Sequence, residues 1–171
     1  MYHRVLVPLD GSPLAEAALD QLPHLVGSET EVLFVRVVVP SAEEVPAMAF
    51  AISPPGSGAT ILTSSIVLKP GARDLPTESD DRPRQQAQRY LDEKALALGT
   101  TVAKRRTLVL EDADPATAIA AQARDETVDL ILMSTHGRSG VVRWVLGSVA
   151  EKVLHSTSLP LLLVRPGKPS E

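Results

Sequence analysis

Residues 128–158 read VDLILMSTHGRSGVVRWVLGSVAEKVLHSTS, and the rest of the chain is organised around them. Leu130-Ile131-Leu132-Met133 is a short apolar run, the pattern of a strand buried on both faces. It breaks into small polar residues from Ser134 to Gly140. A short apolar-periodic segment, Val141 to Leu146, stops at Gly147. Ser148, with Glu151 three residues on, carries the capping-box signature of a new helix. One strand therefore feeds a glycine-bearing loop and then two helix starts. Helix starts leave backbone N–H groups unpaired at a positive dipole end, and so attract phosphate. Glycines at 137 and 147 let a ligand approach the backbone with no side chain in the way.

Outward from this stretch, strands and helices alternate. Residues 3–9, HRVLVPL, predict a buried strand, closed by Asp10-Gly11-Ser12-Pro13. Ser12 suits a helix cap and Pro13 a first helical position. Leu14, Ala18, Leu22 and Leu25 recur at helical spacing, giving a helix near 13–26 that Pro23 should kink or shorten. Residues 31–39, EVLFVRVVV, form the second strand. A helix near 83–98 and a third strand at 101–110 follow, the latter carrying Lys104-Arg105-Arg106, read as a solvated strand end. Asp114-Pro115 starts a helix to about Arg124, residues 128–133 are the fourth strand, Ser148–Ser156 the last helix, and Leu161–Val164 the fifth strand. Five strands alternating with helices predict a parallel sheet covered on both faces, a doubly wound α/β fold.

Residues 40–81 interrupt this order. Six prolines and the PPGSG run at 54–58 punctuate them. A connection of this length is a mobile surface insertion, a lid over a site, or an arm contacting a second copy. Residues 165–171 are expected to be a frayed tail.

Composition removes several functions. The 171 residues are the size of one domain, 44% are apolar, and the net charge is −4. An acidic balance gives no case for nucleic acid or an anionic membrane as partner. Aromatics at 3% leave no base-stacking platform. Cysteine is absent, which removes disulfides, thiol catalysis and thiolate metal sites. No apolar run reaches the ~18 residues of a membrane span, and the N-terminus lacks a signal-peptide pattern, so the expected location is cytoplasmic. His3, His24, His136 and His155 show no metal-ligand spacing. There is neither a P-loop nor a G-x-G-x-x-G after a strand. His136 beside Ser134 or Ser139 lacks the nucleophile elbow of a hydrolase, so no catalytic residue is assigned.

The opening stretch resembles the nucleotide-binding signature of the universal stress protein family, Gly-x2-Gly-x9-Gly-Ser/Thr. Here it reads Ser134-x2-Gly137-x9-Gly147-Ser148, with Ser134 in place of the first glycine. The resemblance extends to Arg4–Ser12 (RVLVPLDGS) and Leu159–Arg165 (LPLLLVR). It implies a five-stranded parallel, Rossmann-like sheet in the order 3-2-1-4-5. Asp10 and Ser134 would then face each other across the switch point. It further implies ATP with Mg2+ in that crevice, and a cytoplasmic stress-response regulator with slow hydrolysis at most. By the same resemblance Pro8, Leu9 and Val37 match adenine-pocket positions, Asp10 the nucleoside contact, and Met133 and Ser134 the ribose side. Gly137, Arg138, Gly147, Ser148 and Val149 match the phosphate-binding part.

Plain alternatives stand beside these roles. Asp10 also suits a turn cap, Pro8, Leu9 and Val37 suit core packing, and Arg138 suits solvent. A second functional reading is a dimeric interaction module of the same fold that does not bind ATP, which Ser134 favours. Both readings share a homodimer through the fifth strand. That strand has an apolar run without internal charge, at a sheet edge that needs covering.

Overall fold

A computed structural model of the chain describes residues 2–40, 82–135 and 146–165. Five parallel strands form one sheet: β1 (Arg4–Pro8), β2 (Glu31–Val38), β3 (Lys104–Glu111), β4 (Leu130–Ser134) and β5 (Leu161–Val164). Their order is β3-β2-β1-β4-β5, the order implied by the resemblance. The insertion from 41 to 81, the 136–145 segment and the tail from 166 lie outside the described residues.

The strands alternate their side chains between two cores. Val5, Val7, Val32, Phe34 and Leu132 face helices α1 (Pro13–Glu16), α2 (Leu22–Leu25) and α3 (Arg82–Ala97). Leu6, Leu33, Val35, Ile131 and Met133 face α4 (Pro115–Asp125) and α5 (Ser148–Ser156). Helices thus cover both faces of the sheet, which is why β1 and β4 read as continuous apolar runs.

Local chemistry places the elements, with some shifts from expectation. The helix expected over 13–26 is broken into α1, a 3-10 turn at Leu19–Gln21, and α2. Pro23 has no N–H to continue a helical ladder, and it sits in the first turn of α2, where none is needed. Ser12 caps α1, its hydroxyl accepting from the Ala15 amide at 3.1 Å. β3 begins at Lys104, because 99–101 turns in a 3-10 helix first. Its basic run is exposed, and each member has a partner within the chain. Lys104 pairs with Glu29 at 2.7 Å, Arg105 donates to the Gly99 carbonyl at 2.8 Å, and Arg106 pairs with Glu126 at 2.9 Å.

Candidate functional site

β1 ends early, and the site follows from that. Pro8 pairs with Val35, and the Leu9 amide donates to the Val35 carbonyl at 2.8 Å. The chain then turns away through Asp10-Gly11-Ser12. Gly11 adopts φ +87°, a conformation side chains resist, and Asp10 Oδ1 accepts from the Ser12 amide at 2.9 Å. β2 runs on to Val38. The backbone groups of a strand alternate sides, so Val37, two residues beyond Val35, turns its amide and carbonyl to the place β1 has vacated. Neither has a hydrogen-bond partner among the described residues.

A cavity of about 320 Å³ opens there, at the carboxyl ends of β1, β2 and β4. That is the low end of the ~300–1,000 Å³ usual for small-molecule sites. One part is apolar, walled by Pro8, Leu9, Val35, Val37, Ile119 and Met133, with Val39 at its exposed rim. The other part is polar: Asp10, Ser134, Thr135 and the start of α5.

The start of α5 is built differently from the capping box expected at Ser148. Gly147, not Ser148, is the cap, and no side chain completes it. The Gly147 amide donates to the Thr135 carbonyl at 2.7 Å, and its carbonyl accepts from Glu151 at 2.9 Å. The cap therefore falls one residue before the expected capping box, while α5 keeps the expected span Ser148–Ser156. Gly147 is already engaged, so the donors at this end are the amides of Ser148, Val149 and Ala150. None has a partner among the described residues, and all three residues line the cavity. Three unpaired amides at a positive dipole end are a seat for an anion.

Of the residues singled out in the sequence, Pro8, Leu9, Asp10, Val37, Met133, Ser134, Gly147, Ser148 and Val149 all line this one cavity. Gly137 and Arg138 lie outside the described residues, as does His136. Asp10 has the turn bond of its plain reading and a place in the cavity wall at once. Ser134 is buried at the last position of β4, opposite Val164 of β5. Sequence reasoning missed Ala15, Val35, Val39, Pro115, Ile119, Thr135 and Ala150. Pro115 opens α4 behind its Asp114 cap, so the helix start noted in the sequence was the available signal for that wall.

Among the described lining residues Asp10 carries the charge, and Asp114 stands next to the lining residue Pro115. Asp114 accepts from Thr117, then from the Ala116 amide, and lies 3.6 Å from Lys152; the Thr117 bond leads in holding its carboxyl below the usual range. Among the described residues no group of three or more His, Cys, Asp or Glu could hold a metal ion. No helix among them is long and apolar enough to cross a membrane.

Known proteins resemble this chain in sequence and in fold. The chain is 30% identical over 165 residues to a universal stress protein of Methanothermobacter thermautotrophicus, covering 96% of this chain and 97% of that one. It is 26% identical over 168 residues to universal stress protein YxiE of Bacillus subtilis, covering 96% and 100%. The fold is similar to that of protein MJ0577 of Methanocaldococcus jannaschii, with a TM-score of 0.71 at 22% identity, covering 98% of this chain and 99% of that one. It is also similar to a universal stress protein solved in complex with cAMP, with a TM-score of 0.59 at 17% identity over 97% and 98%. A third similar structure is the Archaeoglobus fulgidus universal stress protein in complex with dAMP, with a TM-score of 0.55 at 16% identity over 95% and 97%. The model of the universal stress protein family matches residues 1–165. The chain belongs to the universal stress protein family.

Proposed function

We propose that this chain binds ATP, with magnesium carried on the triphosphate, in the crevice between β1 and β4. It acts there as a nucleotide-responsive, cytoplasmic stress-response regulator and not as a dedicated enzyme. One observation carries the reading: the Val37 amide and carbonyl, which have no partner among the described residues, face an apolar slot. A donor beside an acceptor matches adenine, whose ring N1 accepts and whose amino group donates. Pro8, Leu9, Val35 and Met133 supply the apolar walls for the flat base. Asp10 lies where a ribose hydroxyl would donate to it. The Ser148, Val149 and Ala150 amides would take the phosphates, whose charge suits the helix dipole. Two similar structures hold adenine nucleotides, cAMP and dAMP, which supports the base assignment.

A second reading rests on Ser134, whose buried side chain occupies the wall where the family signature has glycine. It favours a dimeric interaction module that leaves ATP unbound. Denaturing protein purified without added nucleotide and assaying the released small molecules by mass spectrometry separates the two. Adenine nucleotide at a substantial fraction of one per chain is expected. A clean preparation that also fails to take up added ATP leaves the interaction module standing.

A further inference from the structure

Behind the Asp10 turn, on the face away from α4 and α5, Arg36 is packed in an unusual way. It follows Phe34 on β2 at the two-residue spacing, so it points towards α3 while Val35 and Val37 point to the cavity. A carbon added to Gly11 would stand 3.1 Å from each terminal nitrogen of the Arg36 guanidinium and 3.2 Å from its central carbon. Near-equal distances to three atoms put Gly11 over the flat face of the group. The same guanidinium lies over the Tyr90 ring, 4.9 Å from its centroid, within cation–π range. Arg36 has no ion-pair partner among the described residues, so stacking is what holds it.

Tyr90 is itself fixed. Its hydroxyl donates to Glu16 of α1 at 3.0 Å, and Lys94 of α3 closes on the same carboxylate at 2.8 Å. Burial, and then the Glu16 contact, push the hydroxyl well above its ordinary range, so the ring stays neutral at any working pH. The helix that follows the turn, α1, is one turn long and cannot hold its own entry rigid. The turn nevertheless carries a residue at φ +87° and Asp10, which lines the cavity.

We infer that Arg36, stacked between Tyr90 and Gly11, is a positioning residue that holds the Asp10-Gly11-Ser12 turn and so aims Asp10 at the ligand. As far as it concerns the ligand, this rests on the adenine-nucleotide reading. Gly11 serves it twice, by its backbone conformation and by letting the guanidinium close on the backbone. The ring of Tyr90 matters to the stack, and its hydroxyl only anchors the ring.

Arg36→Met keeps length and apolar packing while removing the plane and the charge. Two readouts are taken: amide hydrogen exchange at Ser12, whose N–H is bound by Asp10, and ATP affinity by calorimetry. Arg36→Met should speed Ser12 exchange and weaken ATP binding, each by roughly three- to tenfold, the range of a half-buried cation–π contact. Strand amides of β1, β2 and β4 should keep their wild-type rates. Tyr90→Leu should reproduce both effects, and Tyr90→Phe, which keeps the ring, should stay close to wild type. In an Asp10→Asn background, Arg36→Met should have little further effect on affinity, because it acts through Asp10. Unchanged Ser12 exchange in both Arg36→Met and Tyr90→Leu overturns the inference. So does acceleration shared equally by the strands, which marks a general loss of stability. A wild type that binds no ATP sinks the proposed function alone, and the Ser12 rates still decide the brace.

Discussion

The amide of Leu9 donates to the carbonyl of Val35 at 2.8 Å, and this is the last rung joining β1 to β2. Past it the two strands part, and the backbone of Val37 is left facing a cavity instead of a neighbour. The site is thus a consequence of unequal strand lengths: β1 stops at Pro8 and β2 continues to Val38.

Base selectivity is the first consequence. Guanine turns the pattern round, with a ring N–H where adenine accepts and a carbonyl oxygen where adenine donates. Against Val37 both of its groups would meet their like. ATP should bind tighter than GTP by roughly ten- to a hundredfold, the cost of leaving buried polar groups unsatisfied. Competition between the two nucleotides measures it. Equal affinities would remove Val37 from the account.

Ser148→Pro isolates the helix-start donors. Proline suits the first helical position, and Gly147 before it is already extended at φ −58°, ψ 144°, as a residue preceding proline must be. The fold should therefore tolerate it, with a melting temperature near that of wild type. The change deletes one amide donor and one hydroxyl, so ATP affinity should fall by roughly tenfold or more. Ser148→Ala, which removes the hydroxyl alone, should cost less. Equal affinity in Ser148→Pro and wild type would mean the phosphates do not lie on α5.

Assembly is expected to use β5. It lies at the end of the sheet order, and Leu162 is 37% exposed on it with no charged neighbour in the strand. An apolar edge of this kind needs a cover, and a second copy about a twofold axis is the simplest one. Wild type should sediment as a dimer, and Leu162→Lys should shift it towards monomer. A monomeric wild type would mean that β5 is covered from within its own chain.

Acid stability should depend on Asp129. Its carboxylate accepts from the backbone amides of Arg4 and His3, and these bonds, Arg4 first, hold its pKa below the ordinary value. A depressed folded-state pKa contributes stability that is present above the unfolded value, about 3.9, and lost as pH falls below it. Asp129→Asn should lower stability at neutral pH by about 1 kcal/mol, modest because the group is partly solvated. It should also flatten the drop as pH falls below about 4. Denaturant titrations across that range check it; parallel curves for the two proteins would contradict it.

Much of this was legible in the sequence because it depends on short-range chemistry. Apolar runs marked the strands, and Ser12-Pro13 and Asp114-Pro115 marked two helix starts that the structure keeps. The strand order came from the resemblance, since no pattern within the chain states which strands are neighbours. What stayed hidden depends on contacts between distant segments. The Thr135 carbonyl, not local sequence, captures the Gly147 amide and moves the cap of α5. Val39 just past β2, Ile119 of α4 and Ala150 of α5 enter the cavity wall from distant parts of the chain, and each reads alone as ordinary packing. Thr127 sits at φ 51° after α4, where sequence would ask for glycine, because the turn into β4 requires it.

Titration calorimetry of the wild-type chain with ATP and magnesium tests the central claim most directly. A saturable heat with one ATP per chain is expected, weakened by Ser148→Pro and not matched by GTP. No heat from a folded wild-type protein, or a heat that Ser148→Pro and Asp10→Asn leave unchanged, would contradict it.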